Sequence, residues 1–502
     1  MATSDNGYSA APHSNGNSSH RNGSAPPISP VRTPWVHFGV GHFFRGHGAV
    51  LAQRLGVEVT GVNLHDSHHV RETLAAQGNA YNIVTPHSDG GFDIERVHSI
   101  RSVMVAAEDP LAVVDVLADP ATKLVTLTVT QTAYPTGGLE SNPEVSECLR
   151  RPDAPSSIVG LLAAGLAKRY AAGGEPFVVM SLDNFVGNGD ILRRATVAYA
   201  ERRGRPDLAR WIETEVVFPN TMVDRIVPTT SAAMKRWLHR NAPAVAASDQ
   251  WPVFAEPWPK YSLVIGDHAA NPLLGEFQKV GAALVPDVYP YSAMKVGMLN
   301  GLHLTLGMIG RLAGNSFAHE AIANPVVREV CQGILDEIVG TLNPMAGVDY
   351  RAYAKETMGR VANPFLADEL ARLARNGTDK VQQRIVDPLQ RAIAHGEPHD
   401  HLMIGLAAWA HYLRAARDGK LDIADTGAQK RGLLGLRRQA YTNAAEFAQH
   451  IPGLARGLRN DPRFQAELQA SLDTFPGLLT RAMTAPRVGP SSRSAPAPLG
   501  VS

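Results

Sequence analysis

VHFGVGHFFRGH, residues 36–47, decides the fold. The run 36–40 (VHFGV) has strand character and passes directly into Gly39-Val40-Gly41. A helical stretch follows at 44–55 (FRGHGAVLAQRL). A strand that turns through Gly-x-Gly into a helix lets the backbone approach a pyrophosphate, and the helix start offers free N–H groups to the anion. Phe44 stands where the usual pattern has its third glycine, and a tight turn without any ligand carries the same signature.

The next segments extend the pattern. Strand character recurs at 58–65 (EVTGVNLH), 123–131 (KLVTLTVTQ) and 176–183 (PFVVMSLD), with helical spacing at 67–77, 109–119 and 156–173. Near-continuous apolar strands joined by helices predict a parallel sheet covered on both faces. The fold class is therefore α/β, a doubly wound parallel sheet whose ligand sits at the carboxyl ends of its strands. The second strand ends Leu64-His65-Asp66, 25 residues after Gly41. An acid there bonds a ribose 2′-hydroxyl and repels a 2′-phosphate, which favours NAD over NADP. A helix N-cap is the competing role for Asp66. The cofactor candidates on this side are Gly39, Gly41, Phe44, Arg45 and Asp66.

Beyond about residue 286 the texture becomes helical (MKVGMLNGLHLTLGMIGRLAG, NPVVREVCQGILDEIVGTL, HDHLMIGLAAWAHYLRAARDG). The expected division is a tail at 1–32, a nucleotide-binding domain at 33–285, a mainly α-helical domain at 286–484 and a tail at 485–502. The proline-bearing segment 229–260 reads as irregular. Both tails are rich in Ser, Asn, Gly and Pro and are expected to be disordered.

Composition narrows the function. The chain has 502 residues, 48 Lys+Arg against 47 Asp+Glu, and a net charge of +1. That balance argues against a nucleic-acid-coating surface and against an anionic membrane. No apolar run reaches the length of a membrane span. Two cysteines, Cys148 and Cys331, make neither a disulfide framework nor a Cys-rich zinc site. A cytoplasmic enzyme follows as the expectation. His65, His68 and His69, and His399 with His401, are the only metal-ligand-like clusters, and such groups usually lie in solvated loops or helix ends.

Three segments carry polar groups suited to chemistry. In KVGMLNGLH (295–303), at 100° per residue, Asn300 lies about 140° from Lys295 and His303 about 80° from it, on one side of an otherwise apolar helix. A desolvated lysine is a general base, an asparagine amide donates to an oxyanion and a histidine holds a hydroxyl. A solvated helix face with one buried histidine is the plainer reading. SLDNFVGNG (181–189) follows a strand on its carboxyl side. FPNTMVDRIVP (218–228) is an ordinary loop by composition.

Together with GVGHFFRGH (39–47) and RVANPFLADELARLARNGTDKVQQRIVDPL (360–389), these segments resemble the mannitol dehydrogenase family, the polyol-specific long-chain dehydrogenases. The resemblance spans nearly all of 33–484. It implies a Rossmann-type N-terminal domain, a helical C-terminal domain and metal-independent, NAD-linked interconversion of a polyol and a ketose of the mannitol/fructose kind. Lys295 corresponds to the general base, Asn188 and Asn300 to the oxyanion-stabilising pair, and His303 to a substrate-orienting partner. Arg372, Lys380 and Asn184 are substrate-binding candidates, and Val223 and Asp224 lie near the nicotinamide. The partner expected is a small polyol or ketose, with a monomer favoured. The sequence departs from the family pattern at Gln131, Leu182, Gly187 and Ser292. Family members often carry a glutamate at the last of these. Two further readings remain, reduction of a keto-uronate such as fructuronate or tagaturonate, and a non-catalytic NAD(H)-binding sensor.

Overall fold

The computed structural model describes residues 33–485 except 66, 152 and 267–270. The tails, apart from Ala485, and Asp66 lie outside the described residues. The sequence proceeds through β1 (Trp35–Phe38), β2 (Val59–Asn63), β3 (Ile100–Val105), β4 (Leu124–Leu127) and β5 (Val178–Ser181). These strands form one parallel sheet in the order β3-β2-β1-β4-β5. Side chains alternate as a pleat requires. Val36, Phe38, Val125, Leu127 and Val179 pack on one face with the helices Pro110–Ala118 and Ile158–Ala171. Trp35, Leu124, Val178 and Met180 pack on the other with Gly48–Arg54 and His68–Ala76. Burial on both faces explains why these strands read as continuous apolar runs.

The sequence reading missed β3 and the hairpin Tyr81–Pro86/Phe92–Val97 before it. FDIERV is half-exposed and charged, and β3 is an edge strand with Arg101 open to solvent. Neither shows the apolar run that marks a central strand. The segment 229–260 is also corrected. It holds the helices Ala232–Asn241 and Pro243–Ser248 and the short strand Val253–Phe254, which pairs with the hairpin. Pro243 sits at a helix start, where its missing N–H has no cost.

From Tyr289 onward the chain is helical. Tyr289–Leu312 runs as one rod, flanked by Leu370–Ala374, Pro325–Thr341 and Asp400–Arg417, with Pro462–Thr484 packed on the last two. Leu302, Leu306, Ile309, Ile334, Leu406 and Trp409 fill the core between them.

β1 lies between β2 and β4, so the chain direction away from it reverses there and opens a crevice at the strand ends. Gly39 makes that point possible. Its φ is +97°, and a Cβ on it would lie 2.2 Å from the carbonyl oxygen of Thr128 at the end of β4. Gly41 has no atom within 4 Å of the same position. Gly39→Ala is therefore expected to cost about 1–3 kcal/mol and lower the urea midpoint of the N-terminal half. Gly41→Ala leaves that midpoint within about 0.5 kcal/mol.

Candidate active site

A cavity of about 610 Å³ opens at the carboxyl ends of β1, β4 and β5 and is closed on the far side by the helical half of the chain. Gly41, His42 and Phe43 border it from the first turn, Thr128 and Thr130 from the end of β4, and Leu182 to Asn184 from the end of β5. Lys295, Asn300, His303, Arg372, Lys380 and Arg384 border it from the helical side.

The FPNTMVDRIVP segment shapes the sheet side. Thr221 donates its hydroxyl to the Ser181 carbonyl at 2.5 Å and accepts from the Asn188 amide at 3.0 Å. Asn220 donates to Asp190 at 2.7 Å. A Cβ on Gly189 would fall 2.4 Å from the Pro219 carbonyl oxygen, so only glycine admits this approach. These contacts clamp the strand Thr221–Val223 to the helix Asn188–Arg202 and deliver Val223 and Asp224 to the cavity wall.

Lys295 reaches the same wall from the other half. It is 4% exposed, and its Nζ donates to Asn184 Oδ1 at 2.6 Å and to the Val223 carbonyl at 2.5 Å. Burial pulls its pKa down to about 8, opposed by Asp224 and Glu256 and reinforced by Arg360 and Arg384. Desolvation disfavours the ammonium, so this amine gives up its proton more readily than one in water, although the two oxygens it donates to favour the charged form.

Asn300 lies closer in angle to Lys295 than regular helical spacing predicts. Val296–Asn300 is a π-helical turn inside the rod. Its i→i+5 bonding returns a residue five positions on to the same face, and Lys295 and Asn300 are five apart. A second π turn, Gln382–Val386, packs against the first and precedes Pro388, which has no N–H to donate. A Cβ on Gly301 would lie 2.8 Å from the Arg384 carbonyl oxygen, so glycine lets the two helices touch here.

His303 is 8% exposed and its Nε2 has no partner among the described residues. Burial, with Arg372, Arg360 and Arg384 nearby, holds the ring well below its usual pKa, so it is neutral at pH 7. A neutral imidazole with an unpaired nitrogen at a cavity is equipped to bond a hydroxyl.

Three cations line the helical wall. Arg372 pairs with Asp368 at 2.5 and 2.8 Å. Lys380 donates to the Arg375 carbonyl at 2.5 Å, and burial, then Arg384, Arg372 and Arg375, lower its pKa to about 8. Arg384 donates to the Asn300 carbonyl at 3.1 Å. Burial and Arg372 bring its pKa to about 10. The sequence reading missed Arg384, because residues 380 and 384 fall on one face by ordinary spacing only if the whole segment is known to be helical.

Four expected site residues do not border the cavity: Gly39 only shapes the turn, and Phe44, Arg45 and Asn188 fall elsewhere. Phe44 is fully buried and stacks on His37 with ring centroids 3.4 Å apart. A Cβ on Gly48 would meet the Phe44 ring at 2.6 Å, so Gly48 provides the close packing that a third motif glycine would give. Arg45 is fully buried, with its guanidinium 3.6 Å from the Trp251 ring centre and Nη1 donating to the Trp251 carbonyl at 2.9 Å. Both point into packing, and His42 and Phe43 take their places at the cavity. Asn188 is also corrected. Its amide donates to the Asp183 carbonyl at 3.0 Å and to Thr221, and its Oδ1 accepts from the Gly189 and Thr221 amides. A side chain so fully engaged is a strut. Asn184 is the asparagine of that loop that faces Lys295. Asn188→Ala is expected to cost about 2 kcal/mol through unsatisfied backbone groups, seen as a lowered thermal midpoint. Asn300→Ala leaves the midpoint close to the parent's.

An unanticipated ion cluster stands behind the cavity. Arg360, from the helix Tyr350–Val361, donates to Asp224 at 2.7 and 2.8 Å and to Glu256 at 2.6 and 2.8 Å. Tyr353 of the same helix donates to Asp224 at 3.0 Å. Burial alone pushes both carboxyls up; beside Arg360 and Lys295 the Asp224 carboxyl is nonetheless held below its usual range, while Glu256 stays above its own. Glu256 lay in the proline-bearing segment read as irregular, which hid it.

Comparison with known proteins agrees with this architecture. The chain matches the family described as mannitol dehydrogenase Rossmann domain over residues 34–273 and mannitol dehydrogenase C-terminal domain over residues 287–475. It is 34% identical to mannitol 2-dehydrogenase of Aspergillus fumigatus, covering 88% of this chain and 90% of that protein. The relative of the same name from Aspergillus oryzae is also 34% identical, over the same shares. Among solved structures, D-sorbitol dehydrogenase in substrate-free form superposes with a TM-score of 0.77 at 28% identity, covering 90% of this chain and 95% of that one. Mannitol 2-dehydrogenase of Pseudomonas fluorescens, in a ternary complex with NAD and D-mannitol, gives a TM-score of 0.74 at 29% identity over 90% and 94%. With both domains matched in order across most of its length, the chain belongs to the mannitol dehydrogenase family.

Proposed function

We propose that this chain is an NAD-linked dehydrogenase that interconverts a secondary alcohol of a polyol and the corresponding ketose, with mannitol and fructose as the pair to try first. The observation that carries the reading is Lys295, a buried amine of lowered pKa in the cavity wall, with Asn184, Asn300 and His303 around it.

The cavity suits a dinucleotide. It begins at Gly41, where the backbone is open, passes the start of the helix His42–Gly46 and reaches Val223 beside Lys295. Gly39 permits the turn, Gly41, His42 and Phe43 would border the cofactor, and Asp66 carries the preference for NAD over NADP. Bound there, the nicotinamide supplies the hydride acceptor or donor.

The chain's own residues handle the proton and the charge. Lys295, as the free amine, takes the hydroxyl proton of the alcohol while the carbon loses hydride and the carbonyl forms. Asn184 and Asn300 stabilise the oxygen as it becomes negative. Asn184 has its oxygen committed to Lys295, which leaves its NH₂ to donate. His303 orients a neighbouring hydroxyl. Arg372 and Lys380 bond hydroxyls farther along the substrate. In the reverse direction the Lys295 ammonium returns the proton to the alkoxide.

Arg384 favours a second reading. With Arg372 and Lys380 it gives the substrate end of the cavity three cations, with Asp368 paired to only one of them. A keto sugar acid would place its carboxylate there.

The test is a rate panel with NADH or NADPH and fructose, xylulose, fructuronate or tagaturonate. NADH oxidation with a neutral ketose is expected. Lys295→Ala lowers kcat by about 10²–10⁴-fold and leaves NADH binding, read by fluorescence, unchanged. The pH dependence follows from the sign of the shift. Alcohol oxidation rises as pH passes about 8, where the amine becomes free, and ketose reduction falls over the same interval. Clear NADH binding with no turnover of any of the four would overturn the reading in favour of a sensor.

A further inference from the structure

Arg360 touches neither the substrate end of the cavity nor its mouth, yet four charges meet around it. Asp224 and Glu256 come from the sheet-bearing half, and Arg360 and Lys295 from the helical half. Arg360 is 7% exposed and its two acidic partners are 2% exposed each. Every nitrogen of its guanidinium is engaged. Nε goes to Glu256, Nη1 to Asp224 and Nη2 to both. Only a planar fork satisfies two carboxylates in this way.

We propose that Arg360 is a positioning residue for the reaction: it pins Asp224 and Glu256 across the seam between the two halves and so fixes the charge that Lys295 experiences. This rests on the reading of Lys295 as the base. The groups facing Lys295 are Asn184 and the Val223 carbonyl, which bond it, Asp224 and Glu256, which favour its cation, and Arg360 and Arg384, which oppose it. His47 lies nearby, and the neutral His303 and the carboxyl of Asp183 border the same cavity. Two carboxylates and two guanidinium groups balance, so burial decides the protonation of Lys295. Without Arg360 the balance tips towards the carboxylates, and Lys295 holds its proton to higher pH. Without Glu256 it tips the other way.

The experiment measures Lys295 directly and needs no substrate. The full chain is treated with trace acetic anhydride across pH 6–11, and acetylation at Lys295 and Lys380 is read by peptide mass spectrometry. Arg360→Met is expected to move the Lys295 midpoint up by about one unit, since a charge at this range shifts a pKa by about 1–3 units and Glu256 can absorb part of that by taking a proton. Glu256→Gln moves it down. Arg360→Met combined with Glu256→Gln returns it towards the parent value, and Arg360→Lys gives an intermediate shift. The Lys380 midpoint stays in place throughout. The pH midpoint of polyol oxidation moves with the Lys295 midpoint in each variant.

A folded Arg360→Met whose Lys295 midpoint is unchanged overturns the proposal. If that variant does not fold, Glu256→Gln decides, because loosening of the fold exposes Lys295 and raises its midpoint whereas lost negative charge lowers it. Midpoints that move as expected in a protein that turns over no polyol or ketose would uphold the role of Arg360 in tuning Lys295 and sink the assigned reaction.

Discussion

Arg360 joins the two halves of the chain by largely buried ion pairs. Its partners, Asp224 and Glu256, are buried on the sheet side, and its helix also sends Tyr353 to Asp224. Such a cluster is a poor source of net stability, because desolvating the ions offsets most of their attraction. Its value is geometric. Asp224 takes its side-chain hydrogen bonds from the helix Tyr350–Val361, and without that helix Glu256 keeps only the Ile226 amide and loses its counter-charge, so the cluster selects a single register of one half against the other. The cavity exists only in that register, since its walls come from both halves.

Given that register, local backbone features place the remaining groups. Gly39 bends β1 away over the end of β4, and Gly189 lets Pro219 approach the loop after β5. On the helical side two π turns meet at Gly301 and bring Lys295 and Asn300 to one face. A π turn replaces regular hydrogen bonds with poorer ones and persists where a gain elsewhere compensates. Here that gain is the convergence of the Lys295 amine and the Asn300 side chain at one wall of the cavity.

The sequence made legible whatever depended on short-range pattern. Four of the five strands of the parallel sheet show as apolar runs because they are covered on both faces, whereas β3 at the edge does not. Lys295 and His303 are legible as polar interruptions in an apolar helix. Asn300 is visible in type but misplaced in angle, because the π turn has no marker in the sequence. Asn188 and Asn184 cannot be told apart by composition, and only their hydrogen bonds show which one is a strut. Phe44 and Arg45 follow the motif glycines, yet a helix of one turn presents only His42 and Phe43 to the cavity. Arg360, Glu256 and Arg384 were illegible for a different reason. Their roles arise from contacts between segments about 30 to 140 residues apart, and no local pattern encodes a pairing at that range.

Ser292 shows how the charge balance constrains what can surround Lys295. It is 5% exposed and lies one turn before Lys295, bordering a narrow space that Lys295 and Asn184 also line. The family pattern often has a glutamate at this place. A third carboxylate beside Lys295 would favour its cation and demand a further positive group to compensate. A serine hydroxyl donates and accepts without charge, so Ser292 leaves the balance among Asp224, Glu256, Arg360 and Arg384 undisturbed. Asp183 borders the same narrow space, so a proton leaving Lys295 on this side would meet the Ser292 hydroxyl and a buried carboxyl.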